Sequence, residues 1–345
     1  VPLQRQPTLI RFALQKLGQA LFTLWGVATL VFFLFTIVPG DSAQMMLGKR
    51  EDPVALAAVR AKYGLDKPIT VQYVNYLKRI SPIGWPNDQH GIFKAPDLGE
   101  SFQRQGQQVS SLIGQTFPNT ALLAATAIGF ALLVGGALGA WVSYRPDSFW
   151  DKALLTFSSL GMSLPSFFTA VLFAWVFAYL LGPWTGLNLT GSLYSVDDYS
   201  GERYLNLKNL ILPALTLGIR PVGVILQLTR NSLLQVGSLD FIRTARAKGL
   251  RERTVFFKHL LPVASNPIIT TISGWFASLL AGAVFVEIIF GWNGMGKLLV
   301  EALNTRDLPI TMGCVLVIAT LFVVLTTLVD VLYAVLDPRI RAEFF

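Results

Sequence analysis

The chain is poor in charge. Asp, Glu, Lys and Arg supply 14% of its 345 residues against 53% hydrophobic residues, a balance far too apolar for an ordinary water-soluble protein. Cysteine is nearly absent. Cys314 stands alone inside an apolar run, which excludes an intrachain disulfide framework and a cysteine-cluster metal site. The two histidines, His90 and His259, fall on opposite sides of a bilayer in the topology argued below, so they cannot share a metal. No Gly-x-Ser-x-Gly elbow, metal-ligand spacing or paired intramembrane carboxylate motif occurs, so the usual hydrolytic and metal-dependent chemistries have no residues to run on. Gly291-Trp-Asn-Gly-Met-Gly-Lys297 has the outline of a phosphate-binding loop but fails as one. Leu298 stands where the magnesium-binding Ser or Thr is required, no strand precedes it, and the topology puts it outside, away from ATP.

Apolar length is what the chain has in quantity. Six runs, at about 17–38, 116–144, 153–181, 210–236, 264–290 and 309–336, are each long enough to span a bilayer. The net charge of +8 is concentrated at the ends of these runs, which is how topology uses positive charge and not how a nucleic-acid surface does. Arg5, Arg11 and Lys16 precede the first run, and Arg339 and Arg341 follow the last. The first run is long for a signal-peptide h-region and no small-residue cleavage site ends it, so it reads as a retained helix. The sequence therefore predicts an all-α polytopic membrane protein with six transmembrane helices and both termini cytoplasmic.

The runs divide the chain into an N-terminal tail and first helix (1–38), an extracytoplasmic region (39–115), a five-helix core (116–341) with a cytoplasmic loop at 237–262, and a short tail (342–345). Pro39-Gly40-Asp41 ends the first helix. Two helical stretches within 52–80 join at the turn Gly64-Leu-Asp-Lys-Pro68, and a Pro- and Gly-rich loop follows from Ser81 to Gly99. This small external domain suits a cap or a docking surface. Gly135 and Gly139 form a small-xxx-small pair, which predicts close helix approach, and Pro165 predicts a break or kink in the third span. The connections from Gly182 to Lys208 and from Phe290 to Leu308 read as an external loop and an external turn.

Three ionisable residues fall inside apolar runs: Arg220, Glu287 and Asp330. Charge at bilayer depth is costly and needs a partner or a wet cavity. Arg220, toward mid-depth, is a candidate to line a translocation pathway and attract a substrate carboxylate. The alternative is a structural pairing with Glu287, the second pathway candidate. Asp330, close to the inner end, reads as structural.

The one long basic segment between two apolar runs is Asp240–Pro262. Arg243, Arg246, Lys248, Arg251, Arg253 and Lys258 outweigh Asp240 and Glu252, which places it in the cytoplasm. Ser238 or Asp240 can cap a short helix, Phe241, Ile242 and Ala245 give it an apolar side, and Gly249 stops it. A second short helix from about Arg251 to His259 should end at Pro262. The expected product is a helix-turn-helix whose apolar side is covered by a cytosolic partner.

The segment resembles the signature loop of ABC-importer permeases, whose pattern is Glu-Ala-Ala, three residues, Gly, nine residues, Ile-x-Leu-Pro. Arg243, Thr244 and Ala245 occupy the Glu-Ala-Ala places, Gly249 is the Gly, and Leu261-Pro262 close the motif. Arg243 replaces the acid and His259 stands where Ile is usual, a form similar to the peptide-transporter branch. Val38-Pro-Gly-Asp41, Tyr63-Gly-Leu-Asp-Lys-Pro68, Asp97-Leu-Gly-Glu-Ser-Phe102, Ser163-Leu-Pro-Ser-Phe167, Val286-Glu-Ile-Ile-Phe290, Gly294-Met-Gly296, Arg306-Asp-Leu-Pro309 and Leu336-Asp-Pro-Arg-Ile-Arg341 resemble segments of the dipeptide/oligopeptide/nickel permease family along nearly the whole chain. Asn293 replaces a common proline, and the stretch near Trp85 to Lys94 looks like an insertion.

The resemblance implies a type I ABC importer transmembrane-domain fold in the bacterial inner membrane. It implies a noncatalytic permease subunit that forms half of a pore with a second homologous permease. Two ATP-binding cassette subunits would bind ATP and Mg, and an extracytoplasmic peptide-binding protein would deliver the cargo. The loop around Gly249 would be the coupling helix seated on one ATPase. Within the family, nickel or another small solute competes with peptides as cargo. From other classes, an ion-coupled secondary transporter would need internal symmetry and intramembrane carboxylates, and an intramembrane enzyme lacks a catalytic constellation.

Overall fold

The computed structural model describes residues 9–37, 53–84, 93–104, 106–197 and 200–336. The expected break at Pro39-Gly40-Asp41, most of the 85–94 insertion, His90 and the closing 337–341 motif lie outside them. Long helices dominate: α1 (Leu9–Ile37), α4 (Val109–Ser143), α8 (Lys208–Gly237) and α15 (Leu308–Leu336). Each holds a stretch long and apolar enough to cross a membrane, namely Arg11–Thr36, Val109–Ser143, Lys208–Gly237 and Leu308–Val331.

The expected third and fifth spans are not straight. Helix α5 (Phe149–Ser163) and α6 (Ser166–Phe173), which continues as a π-helical turn to Leu180, meet at 107° and make a fifth span only if the bent pair is counted as one. Pro165 has no N–H to give back to the preceding turn, and Leu164 before it is extended at φ −73°, ψ 133°, the conformation that proline imposes on its predecessor. The predicted break is therefore a sharp corner. The expected fifth run is divided at Ala283 into α12 (Asn266–Gly282) and α13 (Val284–Ile289). Ala283 sits at φ −73°, ψ −1°, at the edge of the right-handed helical region, and serves as the last cap of α12 and the first of α13. Pro118 in α4 and Pro213 and Pro221 in α8 stay inside unbroken helices. Proline predicted the break at 165, but it does not explain the one at 283.

Both connections that the sequence reads as external are more ordered than expected. The 182–208 stretch holds the short helix α7 (Gly182–Thr185) and an antiparallel hairpin of β1 (Tyr194–Val196) and β2 (Arg203–Leu205), with Tyr194 opposite Leu205. The stretch after Phe290 folds as α14 (Met295–Asn304).

The chain divides into two compact units, one formed by Val1–Pro118 with Lys297–Thr327 and the other by Asn119–Gly296 with Leu328–Phe345. In the first, α2 (Pro53–Tyr63) and α3 (Ile69–Ile80) flank the predicted turn, where Gly64 takes φ 67°. Helix α3 lies on α1 through aromatic contacts: the Phe32 ring is 5.3 Å from Tyr73 and 5.2 Å from Tyr76, and the hydroxyls of Thr29 and Tyr73 are 2.6 Å apart. Asp307, 1% exposed, caps α15 and gathers the loop before α4. It accepts the Ser101 hydroxyl and the backbone N–H groups of Phe102 (3.2 Å) and Gln103 (3.1 Å).

In the second unit, α8 is the central element, with one side against α5 and another against α4. Gly135 and Gly139 of α4 face it as predicted. A Cβ at Gly135 would stand 2.7 Å from the Val222 carbonyl oxygen, and one at Gly139 would stand 2.9 Å from Thr229 Cβ. Replacing Gly139 with leucine is expected to cost about 1–3 kcal/mol of stability through overpacking. The readout is a lower thermal midpoint of the detergent-solubilised protein. Gly136→Leu is the matched control, since a Cβ there meets nothing within 4 Å; equal midpoints for the two variants would refute the close α4–α8 approach.

Candidate functional site

The basic loop folds from the residues the sequence singled out, with a different use of its apolar side. Helix α9 (Asp240–Ala247) starts after Leu239 with no side-chain cap. Ser238 instead closes the previous helix, its hydroxyl donating to the Gln235 carbonyl at 2.7 Å, so the expected Ser238 or Asp240 cap is not made. The C-terminus is a Schellman motif. Gly249 N–H donates to the Arg246 carbonyl (2.9 Å), Leu250 N–H reaches the Ala245 carbonyl (3.4 Å), and Gly249 takes φ 75°. An added Cβ at Gly249 would meet nothing within 4 Å, so glycine is required there by backbone conformation and not by space.

Beyond the turn, α10 (Glu252–Thr254) runs into a π-helical segment, Val255–Leu260, and then α11 (Leu261–Ala264). The second helix does not end at Pro262. Pro262 falls in the first turn of α11, where its missing N–H costs little after the wider π turn. Arg246 grips Glu252 with two hydrogen bonds, 2.9 and 3.3 Å, across the Gly249 turn. Both side chains are about half exposed, so this brace contributes little energy and serves mainly to fix geometry.

The apolar side of α9 is not left for a partner. Ile242 is 0% and Ala245 7% exposed, packed with Leu233, Val236, Val255, Leu260 and Ala264. The chain covers this face itself because the π-helical segment, with Ala264 of α11, and the end of α8 converge on it. Of the motif residues, Ala245 points inward, while Arg243, Thr244, Gly249 and Pro262 are exposed and Leu261 is partly buried. Phe241 (44% exposed), Leu239 and Leu250 add apolar surface beside them. The loop is thus a pre-built, internally anchored knob with a basic and partly apolar outer surface.

The two pathway candidates are placed very differently. Arg220 is exposed on α8, and no hydrogen bond or ion pair joins its side chain to a described residue. It does not pair with Glu287. Glu287 is 0% exposed in α13, where it accepts the Thr120 hydroxyl at 2.6 Å. Thr120 in turn accepts the Met295 N–H at 2.8 Å, and the Trp292 indole donates to the Asn119 carbonyl at 3.1 Å. Gly294 and Gly296 are small because a Cβ at either would collide with the Glu287 carboxylate. The glycines that resembled a phosphate loop therefore wrap a buried carboxylate. Asp330 is partly buried in α15.

One pair escaped sequence reasoning. Arg230 of α8 holds Asp151 of α5 by two hydrogen bonds of 2.6 Å, with the side chains 15% and 1% exposed. Asp151 also accepts the Asp147 N–H at 2.8 Å. Both residues lie near the loop-side ends of apolar runs, where a charge ordinarily needs no explanation; opposite signs at the ends of two runs were the available signal.

Residues 127–342 match the family described as "Binding-protein-dependent transport system inner membrane component", and residues 9–124 match its N-terminal membrane-component family. The chain belongs to this family. The permease is 35% identical over 337 residues to a protein of Brucella suis biovar 1 whose name describes it as a peptide permease protein, covering 96% of this chain and 99% of that one. It is 35% identical over 352 residues to the di/tripeptide transport system permease protein DppB of Pseudomonas aeruginosa (97% and 100% covered). It is also 32% identical over 346 residues to the dipeptide transport system permease protein DppB of Alkalihalophilus pseudofirmus (96% and 100%). A chain of the inward-facing MetNI methionine ABC transporter shares 18% identity, with a TM-score of 0.47 over 68% of this chain and 96% of that one. The permease is a membrane-embedded transport subunit and is not itself the enzyme that hydrolyses ATP.

Proposed function

We propose that this permease forms half of the translocation pore of an ATP-driven, binding-protein-dependent importer of di- and oligopeptides. Its fold is that of a type I importer: six membrane passages, counting the bent α5–α6 pair and the α12–α13 pair as one each, with both termini cytoplasmic. A second homologous permease completes the pore, two ATP-binding cassette subunits bind ATP and Mg, and an extracytoplasmic peptide-binding protein delivers cargo. The observation that carries this reading is the loop at 240–262. Its apolar face is already anchored inside the chain, so the outward residues Arg243, Thr244, Gly249 and Pro262, with Leu261 at their edge, are free to seat on an ATPase as a rigid unit. Motion of the ATPases then passes into α8 through Leu233 and Val236, a two-state element biased by nucleotide. Peptide cargo rests on full-length similarity to permeases whose names specify peptides.

Affinity purification of the tagged chain from its native host in mild detergent, followed by mass spectrometry, tests the assembly. A second permease and one or two ATP-binding subunits are expected. Reconstitution of that complex with its binding protein should then give ATP-dependent uptake of a radiolabelled dipeptide that unlabelled nickel does not compete away. Recovery of the chain alone, or uptake indifferent to ATP, would refute the reading.

A further inference from the structure

The central helix of the second unit carries one largely polar face that is not buried. Arg220, Val224, Gln227, Asn231 and Gln235 repeat at intervals of four, three, four and four residues, so they share one face of α8. All are exposed or half-exposed, while Ile225, Leu226, Thr229, Ser232, Leu233 and Val236 of the same helix are buried. Helix α5 has a matching stripe. Thr156, Ser159 and Ser163 are exposed and repeat at three and four residues. About a quarter turn away lie Phe157 (69% exposed) and Leu160 (57%), an apolar surface suited to lipid.

The two polar stripes adjoin. Gln227 Nε2 donates to Ser158 Oγ at 2.9 Å and to Ser159 Oγ at 3.3 Å. The helices run antiparallel along their contact, since Asp151 meets Arg230, Ser158 meets Gly223 and Gln227, and Gly161 meets Ile219. That register brings Arg220 to the level of the Leu164–Pro165 corner, where α5 ends.

The amides of Gln227, Asn231 and Gln235 and the Arg220 guanidinium are costly against hydrocarbon, whereas Phe157 and Leu160 are not. The hydroxyls of Thr156, Ser159 and Ser163 donate to carbonyls of their own helix and extend the polar surface at little cost. We infer that the α5–α8 polar stripe, Thr156, Ser159 and Ser163 with Arg220, Gln227, Asn231 and Gln235, is the wall of the water-filled passage through which the solute crosses. This rests on the importer reading and assigns the passage to residues of this chain. The wall offers hydrogen-bonding groups and one cation, Arg220. That chemistry fits a solute with an amide backbone and a free carboxylate. Glu287, buried under Gly294 and Gly296, takes no part.

Cys314 is 0% exposed, and its replacement by alanine gives a cysteine-free background. Single cysteines at Ser159 and Asn231 and, as lipid-facing references, at Phe157 and Leu160 are placed in the purified complex in liposomes. Each is reacted with a membrane-impermeant methanethiosulfonate applied from the loop side, without nucleotide and after ATP-vanadate trapping. A thiol reacts as thiolate and needs water, so Ser159→Cys and Asn231→Cys should label about tenfold or more faster than the references in one nucleotide state. A passage with alternating access should also close the stripe to the reagent in the other state. Labelling no faster than Leu160→Cys, or equally fast in both states, while ATP hydrolysis is intact would overturn the passage and leave the importer reading standing. A complex that contains no ATP-hydrolysing partner would sink both.

Discussion

Replacing Gly249 with valine is expected to cut ATP-driven uptake about tenfold or more while the complex still assembles and hydrolyses ATP. Gly249 sits at φ 75° and closes the Schellman motif that ends α9. For a residue with a Cβ, that conformation costs about 1–2 kcal/mol, and β-branching makes it an outlier. Because the space around Gly249 is open, the substitution does not disturb the core. Its cost is relieved by opening the turn, which rotates Arg243 and Thr244 relative to Arg251 and loosens the Arg246–Glu252 brace. An energy of about 1.4 kcal/mol corresponds to a tenfold change in the population of the docked geometry. Gly249→Asn, which tolerates the left-handed region, should keep more of the coupling than Gly249→Val. The measurement is the ratio of peptide uptake to ATP hydrolysed in proteoliposomes; a wild-type ratio for Gly249→Val would refute the role of the turn.

The second large effect belongs to Arg230 and Asp151. Removing one member of a buried, doubly hydrogen-bonded ion pair leaves the other uncompensated and costs about 3–5 kcal/mol. Arg230→Met should therefore lower the thermal midpoint of the solubilised permease sharply. Asp151→Asn should do nearly the same, since a single amide oxygen is left to accept from Asp147 N–H and Arg230 and the amide NH2 faces the guanidinium. The double variant Arg230→Met, Asp151→Leu should be far closer to wild type than the sum of the single changes, since no charge is stranded. Arg230→Lys should recover only part, because a lysine cannot reproduce two parallel bonds to one carboxylate. If the double variant were as unstable as the sum of the single ones, the pair would be bystanders to some other local packing.

The sequence was informative where one physical requirement dominated. Apolar length announced the spans containing α1, α4, α8 and α15, because a helix that must cross hydrocarbon has to be written as a long uncharged run. Gly135 and Gly139 announced a close approach between helices, which Val222, Ile225, Leu226 and Thr229 of α8 supply. Pro165 announced a break, which the extended Leu164 before it completes, although Pro118, Pro213 and Pro221 stay within unbroken helices. Gly249 announced the end of α9 for the equally local reason of a positive φ. In all of these the deciding interaction lies within a few residues of chain or along one helix face.

Four features were decided by tertiary structure. The division at Ala283 has no proline behind it and is tied to the fold around Glu287, whose carboxylate is held by Thr120, 167 residues away in sequence. The apolar side of α9 reads from sequence as a vacant docking face, but α8 and the π-helical segment Val255–Leu260 cover Ile242 and Ala245, since periodicity shows that a face is apolar but not what lies against it. The Arg230–Asp151 pair needs two helices brought together at one level, and a sequence pattern carries no such register. The same holds for the polar stripe, where Gln227 and Ser159, 68 residues apart, meet only once α5 and α8 are laid antiparallel. Composition and local backbone chemistry thus determined what kind of protein this is and where its loop turns. Which charges are paired, which apolar face is already used and which polar face is left for water depended on how the helices pack.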